Sequence, residues 1–104
     1  MADLTIQRGD YGFYIEGTLT DANGSVFDLT GYTLTFNAWE MGKWKKPIVQ
    51  GTANTVVATG GTWRYLVAQN DFITEGEYLI NIRATQTGAQ ETSQNYMLEV
   101  KEAP

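Results

Sequence analysis

The fold this sequence predicts is an antiparallel β-sandwich of about seven to eight strands, and three observations predict it. Apolar and polar residues alternate at period two along most of the chain, with no sustained 3.6-residue periodicity. Turn-forming clusters such as "DANG", "LTG" and "GG" punctuate that alternation at roughly 8–12-residue intervals. The third observation is "TEGEYLINI", residues 74–82, which has the shape of an immunoglobulin F strand. Gly76 and Tyr78 fill the places of a tyrosine corner, and Ile80 stands where the disulfide cysteine of such a strand would be. An aliphatic filler there suits a sandwich held by packing alone, as a reducing compartment requires.

Each element follows in order. "YGFYIEGTLT" sends Phe13, Ile15, Gly17 and Leu19 to one face and Tyr14, Glu16, Thr18 and Thr20 to the other. Asn23-Gly24 marks a turn that takes positive φ cheaply. "SVFDLTG" is a short strand or extended connection closed by a turn at Thr30-Gly31, and "YTLTFNAW" turns Tyr32, Leu34, Phe36 and Ala38 inward. "EMGKWKKP" is a loop ended by Pro47, followed by a short "IVQG" and then by "TVVAT". After Gly60-Gly61, "TWRYLVA" places Trp63, Tyr65 and Val67 inside and Arg64 and Leu66 outside. "QNDFIT" reads as one helical turn, and the next strand faces inward with Tyr78, Ile80, Ile82 and Ala84. "QTGAQE" is a hairpin loop, and "NYMLEVKE" closes the sheet with Tyr96, Leu98 and Val100. The chain, 1–104, reads as one domain with no repeat or linker.

Composition excludes several chemistries. Without cysteine there is no disulfide scaffold, thiolate metal site or thiol nucleophile. Without histidine there is no Ser-His triad, His-ligated zinc or ordinary neutral-pH base. A net charge of −5 argues against nucleic acid, which is bound by basic surfaces. No apolar run approaches the roughly 18 residues of a membrane span, and "MADLTIQRGD" lacks the apolar segment of a signal peptide. Synthesis in a cytoplasm, with neither membrane insertion nor cofactor, is the expectation.

The candidate acidic sites read as turns. Asp28 in "DLTG" is placed to cap its own turn, which Gly31 closes. Asp21, Asn23 and Asp28 lack the order and the bidentate glutamate of a calcium loop. Asn23-Gly24-Ser25 satisfies the glycosylation triplet, yet it too reads as a turn. Asp71, Glu75 and Glu77 offer no pair of carboxylates set across a cleft, as glycosidases need, so no catalytic residue is assigned. "WEMGKWKKP" differs: residues 39–46 hold two of the three tryptophans and three of the four lysines of an acidic chain. Either the tryptophans fold back over the open edge of the core while the lysines solvate the turn, or Trp39, Lys43, Trp44 and Lys45 form a partner-binding surface, since aromatic and long cationic side chains dominate interface hot spots. Trp63 is assigned to the core, with Tyr78, Gly76, Ile80, Asp28 and Gly31 as structural residues.

The sequence also resembles the N-terminal domain of the upper baseplate protein of tailed phages. The matching stretches are "IQRGDYGFYIEGTLTDANGSVFDLTGYTLTFNAW" and "GGTWRYLVAQNDFITEGEYLINIRAT". Gly9-Asp10, Leu19-Thr20-Asp21, Asp28-Leu29-Thr30-Gly31 and Gly76-Glu77-Tyr78 fill the family's turn and strand positions. The resemblance implies a non-enzymatic structural component of a virion tail or baseplate, contacting other tail proteins or copies of itself. The alternative expectation is a carbohydrate-binding module that stacks cell-surface glycans on Trp39, Trp44 and Tyr14.

Overall fold

The computed structural model describes residues 4–21, 23–43, 45–93 and 95–102. Eight strands account for the regular structure: β1 (Leu4–Gln7), β2 (Tyr14–Thr18), β3 (Thr33–Glu40), β4 (Val49–Val57), β5 (Thr62–Leu66), β6 (Gly76–Gln86), β7 (Ala89–Thr92) and β8 (Tyr96–Lys101). They lie in the order β1-β8-β6-β3-β4-β5-β2, with β7 beside β6. The sheet curls into a half-barrel because β4 serves both halves: Val49–Ala53 pair with β3, whereas Asn54–Val57 pair with β5 across a register shift. The Tyr96 hydroxyl, on β8, donates to the Thr18 carbonyl of β2 at 3.3 Å, so the two ends of the curl approach each other.

The inward faces are those the alternation predicts. Leu34, Phe36 and Ala38 of β3, Tyr78, Ile80, Ile82 and Ala84 of β6, and Leu98 and Val100 of β8 are all buried. Ile15 and Leu19 from the β2 run, with Trp63, Tyr65 and Val67 from the β5 run, close over them. Phe36 stacks on Tyr65 with centroids 4.1 Å apart and planes 3° from parallel, joining the two halves of the curl. Gly17 faces the Trp63 ring so closely that a Cβ there would stand 2.6 Å from its Cζ2. Gly61 is held at φ +66° with the Phe27 and Leu19 carbonyl oxygens where a Cβ would be.

Four local expectations need correction. The sheet is mixed, because β1 runs parallel to β8 from Leu4↔Leu98 to Gln7↔Lys101. "IVQG" and "TVVAT" belong to one continuous strand, β4. "QTGAQE" is a tight hairpin in which β6 continues to Gln86, turns at Thr87-Gly88 and returns as β7. The helical turn at "QNDFIT" is absent among the described residues: Asn70 sits at φ 74°, which a right-handed helix excludes. Instead Asp71 organises a turn, its Oδ2 accepting from Ala68 N at 2.8 Å and from the Tyr65 hydroxyl at 2.6 Å.

Candidate docking surface

Alternation on the main sheet leaves a second face, opposite the core, and its composition is unusual for a solvated surface. Trp39, Leu79 and Met97 lie directly across from one another on β3, β6 and β8. All three are half-buried, although the core is on the other side. Beside this apolar row runs a chain of amides. Gln50 Nε2 donates to Asn37 Oδ1 at 2.9 Å, Asn37 Nδ2 to Asn81 Oδ1 at 3.2 Å, and Asn81 Nδ2 to Asn95 Oδ1 at 3.2 Å. Asn37 is wholly buried, so its amide depends on those bonds. Trp39, Leu79, Asn81 and Asn95 line one shallow depression between the apolar and amide rows.

Charge sits at the two ends of the same face. One step beyond the apolar row, Glu77 lies directly opposite Glu99, a like-charge juxtaposition that costs stability. Two steps beyond the row in the other direction, Arg83 lies between Thr35 and Thr92. Its Nε is shielded from solvent without a hydrogen-bond partner. The ion pairs among the described residues are Arg8–Glu102 and Lys43–Glu40; Arg83, Glu77 and Glu99 are in neither, although Lys101, the next outward residue after Glu99 on β8, stands on the same face.

The structure separates the residues that the sequence groups as a contact cluster. Trp39 belongs to the outer face, whereas Lys43 Nζ meets Glu40 Oε2 at 3.0 Å. Glu40 pairs with the inward-facing Tyr78, so it leaves β3 on the side away from Trp39. Lys45 is exposed and lines an open depression with Gly42, Lys43 and Lys46. Trp44 lies outside the described residues. Tyr14 is on a different surface, on β2, where the Arg64 guanidinium covers its ring at 4.1 Å. Trp39 and Tyr14 therefore form no common platform.

The remaining named residues have structural surroundings. The Tyr78 hydroxyl donates to the Thr74 carbonyl at 2.6 Å, closing the corner before β6. Burial holds its pKa above the ordinary tyrosine value, and the Glu40 charge adds to the effect. Ile80 and Trp63 are buried in the core. Gly76 opens β6 at φ +142°. Asp28 Oδ1 accepts from the Thr30 hydroxyl at 2.7 Å and the Thr30 N–H at 2.9 Å, and these bonds lower its pKa. Gly31 completes that turn at φ +82°. Asp21 is likewise occupied by its own turn, accepting from Asn23 N and Ser25 N. Among the described residues no cluster of carboxylates could hold a metal ion, and no helix is long and apolar enough to cross a membrane.

Glu77, Leu79, Arg83, Met97 and Glu99 escape a reading that follows only the inward positions. The signal for them is Leu79, an apolar residue at an outward position of β6, followed on the same face by a cation.

No protein-family profile matches this chain, and no curated protein matches it in sequence. Among solved structures, its fold is similar to the N-terminal domain of phage TP901-1 ORF48. The two share 15% identity at a TM-score of 0.62, over 95% of this chain and 85% of that one.

Proposed function

We propose that this chain is a non-enzymatic structural module of a bacteriophage tail or baseplate, an immunoglobulin-like sandwich joining virion proteins through protein–protein contacts. The observation that carries the reading is the likeness of fold, over nearly the whole chain, to a domain from a phage. Two features support it. The tyrosine corner, the packed core and the hydrogen-bonded turns serve stability alone, and the outer sheet face has the apolar centre and polar surroundings of a protein contact. Trp39 supplies the aromatic anchor of that face.

Particles offer the test. Antibodies raised against the purified chain are applied to phage particles that carry it, with electron microscopy locating the label and mass spectrometry of gradient-purified particles measuring copy number. The reading expects label on the tail or its tip and a fixed stoichiometry. A chain present in the lysate but absent from washed particles overturns it.

One observation favours a second reading, a glycan-binding module: the Trp39 ring shares a depression with the amides of Asn81 and Asn95. Titration with cell-wall polysaccharide, followed by tryptophan fluorescence, supports that reading if Trp39→Ala abolishes a saturable change. It removes the reading if no change occurs at millimolar saccharide.

A further inference from the structure

We propose that the outer face of the main sheet is self-complementary, and that two copies of this chain pair through it about a twofold axis. In that pairing Glu77 and Glu99 of each copy meet Arg83 of the other. The inference deepens the assembly reading above and rests on it for the contact's use in a particle.

The argument starts from register. Along β6, outward side chains fall at Glu77, Leu79, Asn81, Arg83 and Thr85. Ile80 stands midway between Glu77 and Arg83. Two copies stacked face to face are related by a twofold axis lying between the faces. Run across the strands at the level of Ile80, that axis reverses each strand, so 77 falls on 83 and 79 on 81. An acidic end then lies over a basic end twice, about 20 Å apart at roughly 3.3 Å per residue. The same operation lays each strand over its own counterpart and brings both apolar rows to the centre, one on either side of the axis. Trp39 of each copy then lies at the level of the other's amide row, whose exposed members are Gln50 and Asn95.

The pairing supplies ion pairs that the described residues do not form within one chain. Glu77 and Glu99 face each other with Lys101 as the next outward residue of β8, and Arg83 has Thr35, Thr92, Asn81 and Thr85 as its described neighbours in register, none of them a carboxylate. The fork of an arginine reaches two carboxylates set one strand apart, as these are. Such a match within one patch is what an isologous interface requires. The alternative occupant, an unrelated protein, would need its own acidic and basic groups at that spacing.

Size sets the strength. Only β3, β6 and the column shared by β8 and β7 run on both sides of the axis, since β1 lies beside Leu98–Lys101 and β4 beside Leu34–Ala38. Three strands at about 4.8 Å and a length of about 20 Å give a footprint of roughly 300 Å² per copy, small for a specific pair. Self-association is therefore weak in solution, with a dissociation constant of micromolar order or above. A particle that holds copies close together would raise its occupancy.

Sedimentation velocity on the purified chain, from about 1 μM to about 1 mM, tests the proposal, with Arg83→Glu and Glu77→Arg as the variants. The wild type is expected to shift from monomer to dimer as concentration rises. Each variant alone weakens association by about tenfold or more, because like charges now meet at both ends. An equimolar mixture restores it. In the mixed pair the glutamate introduced into one variant faces the arginine introduced into the other, and the Glu77 retained by the first faces the Arg83 retained by the second. Should Arg83→Glu fail to fold, Arg83→Gln, an amide among amides, weakens the dimer without adding a charge. A wild type that stays monomeric throughout overturns the pairing, as do variants that dimerise like the wild type or a mixture no better than its components. A monomer that is nonetheless found in particles defeats this inference and leaves the assembly reading standing. A charge-restored dimer missing from particles does the reverse.

Discussion

Gly17→Ala provides a sharp test of how the core is closed. A Cβ at position 17 would stand 2.6 Å from Trp63 Cζ2, 2.9 Å from Cε2 and 3.2 Å from Nε1. Real side chains do not approach so closely, and Trp63, 2% exposed, has no room to retreat. Alanine in a strand interior would otherwise gain about 0.5–1 kcal/mol over glycine, but overpacking of this kind costs about 1–3 kcal/mol and wins. The net expectation is a loss of about 1–2 kcal/mol, read as a lower urea midpoint with unchanged slope. The nearest of the three atoms in conflict, Cζ2, belongs to the outer six-membered ring of the indole, which has no counterpart in phenylalanine, whereas Cε2 and Nε1 lie near positions its ring still fills, so Trp63→Phe relieves the conflict in part. Trp63→Phe should itself cost about 1–3 kcal/mol through the space it opens; its Nε1 has no partner, so no hydrogen bond is lost. In the double variant the added methyl group enters that space. The two losses then fall short of additive by about 1 kcal/mol. Additive losses, or a Gly17→Ala protein as stable as the parent, would refute the packing described for β2 and β5.

Three further expectations concern the corner, the β5 turn and alkaline pH. Tyr78→Phe deletes the 2.6 Å bond to Thr74 and should cost about 1 kcal/mol, with a fall in Tm of about 4–8 °C; an unchanged melt would show that the corner contributes nothing. Gly61→Ala combines positive φ with two backbone oxygens at 2.7 and 2.8 Å from the new Cβ, and should cost about 3 kcal/mol or more; a circular dichroism melt within about 2 °C of the parent would contradict this. Burial, followed by the hydrogen bond and charge of Asp71, raises the pKa of Tyr65, and burial raises that of Tyr78, both from an ordinary value of 10.0. The unfolded chain then loses tyrosine protons more readily than the folded one, so this stability is complete below about pH 10 and is lost as pH rises beyond it. Tyr65→Phe should flatten that alkaline decline, and an equal slope in both proteins would argue against it.

Much of the fold is legible along the chain because a strand needs only two residues to declare a face. Trp63, Tyr65 and Val67 alternate with Arg64 and Leu66, and their burial follows. The missed features depend on distant partners. β1 has four residues, and its parallel partner lies at the other end of the chain, Leu4 against Leu98, beyond any local pattern. β4 reads as two pieces because Gly51 resembles a break, yet the glycine accommodates the Tyr65 ring, whose Cε1 would stand 3.0 Å from a Cβ. "QNDFIT" reads as a helical turn, but the Tyr65 hydroxyl and Ala68 N–H both converge on Asp71, and Asn70 turns left-handed. In each case a tertiary contact overrides a local preference.

The same logic decides what a cluster in this sequence means. In a helix, residues four apart share a face, so tryptophans and lysines within residues 39–46 would converge. Here Trp39 lies in a strand and Lys43 in the turn after it, and Lys43 folds back to Glu40 while Trp39 faces the opposite way. Surfaces here are assembled across strands instead, from residues tens of positions apart: Trp39 beside Leu79 and Met97, Glu77 beside Glu99, Arg83 between Thr35 and Thr92. A partner meeting the outer face encounters those rows and not the linear segment. Charge reversal at Arg83 should therefore alter assembly more than charge reversal at Lys43, which is 77% exposed and already paired.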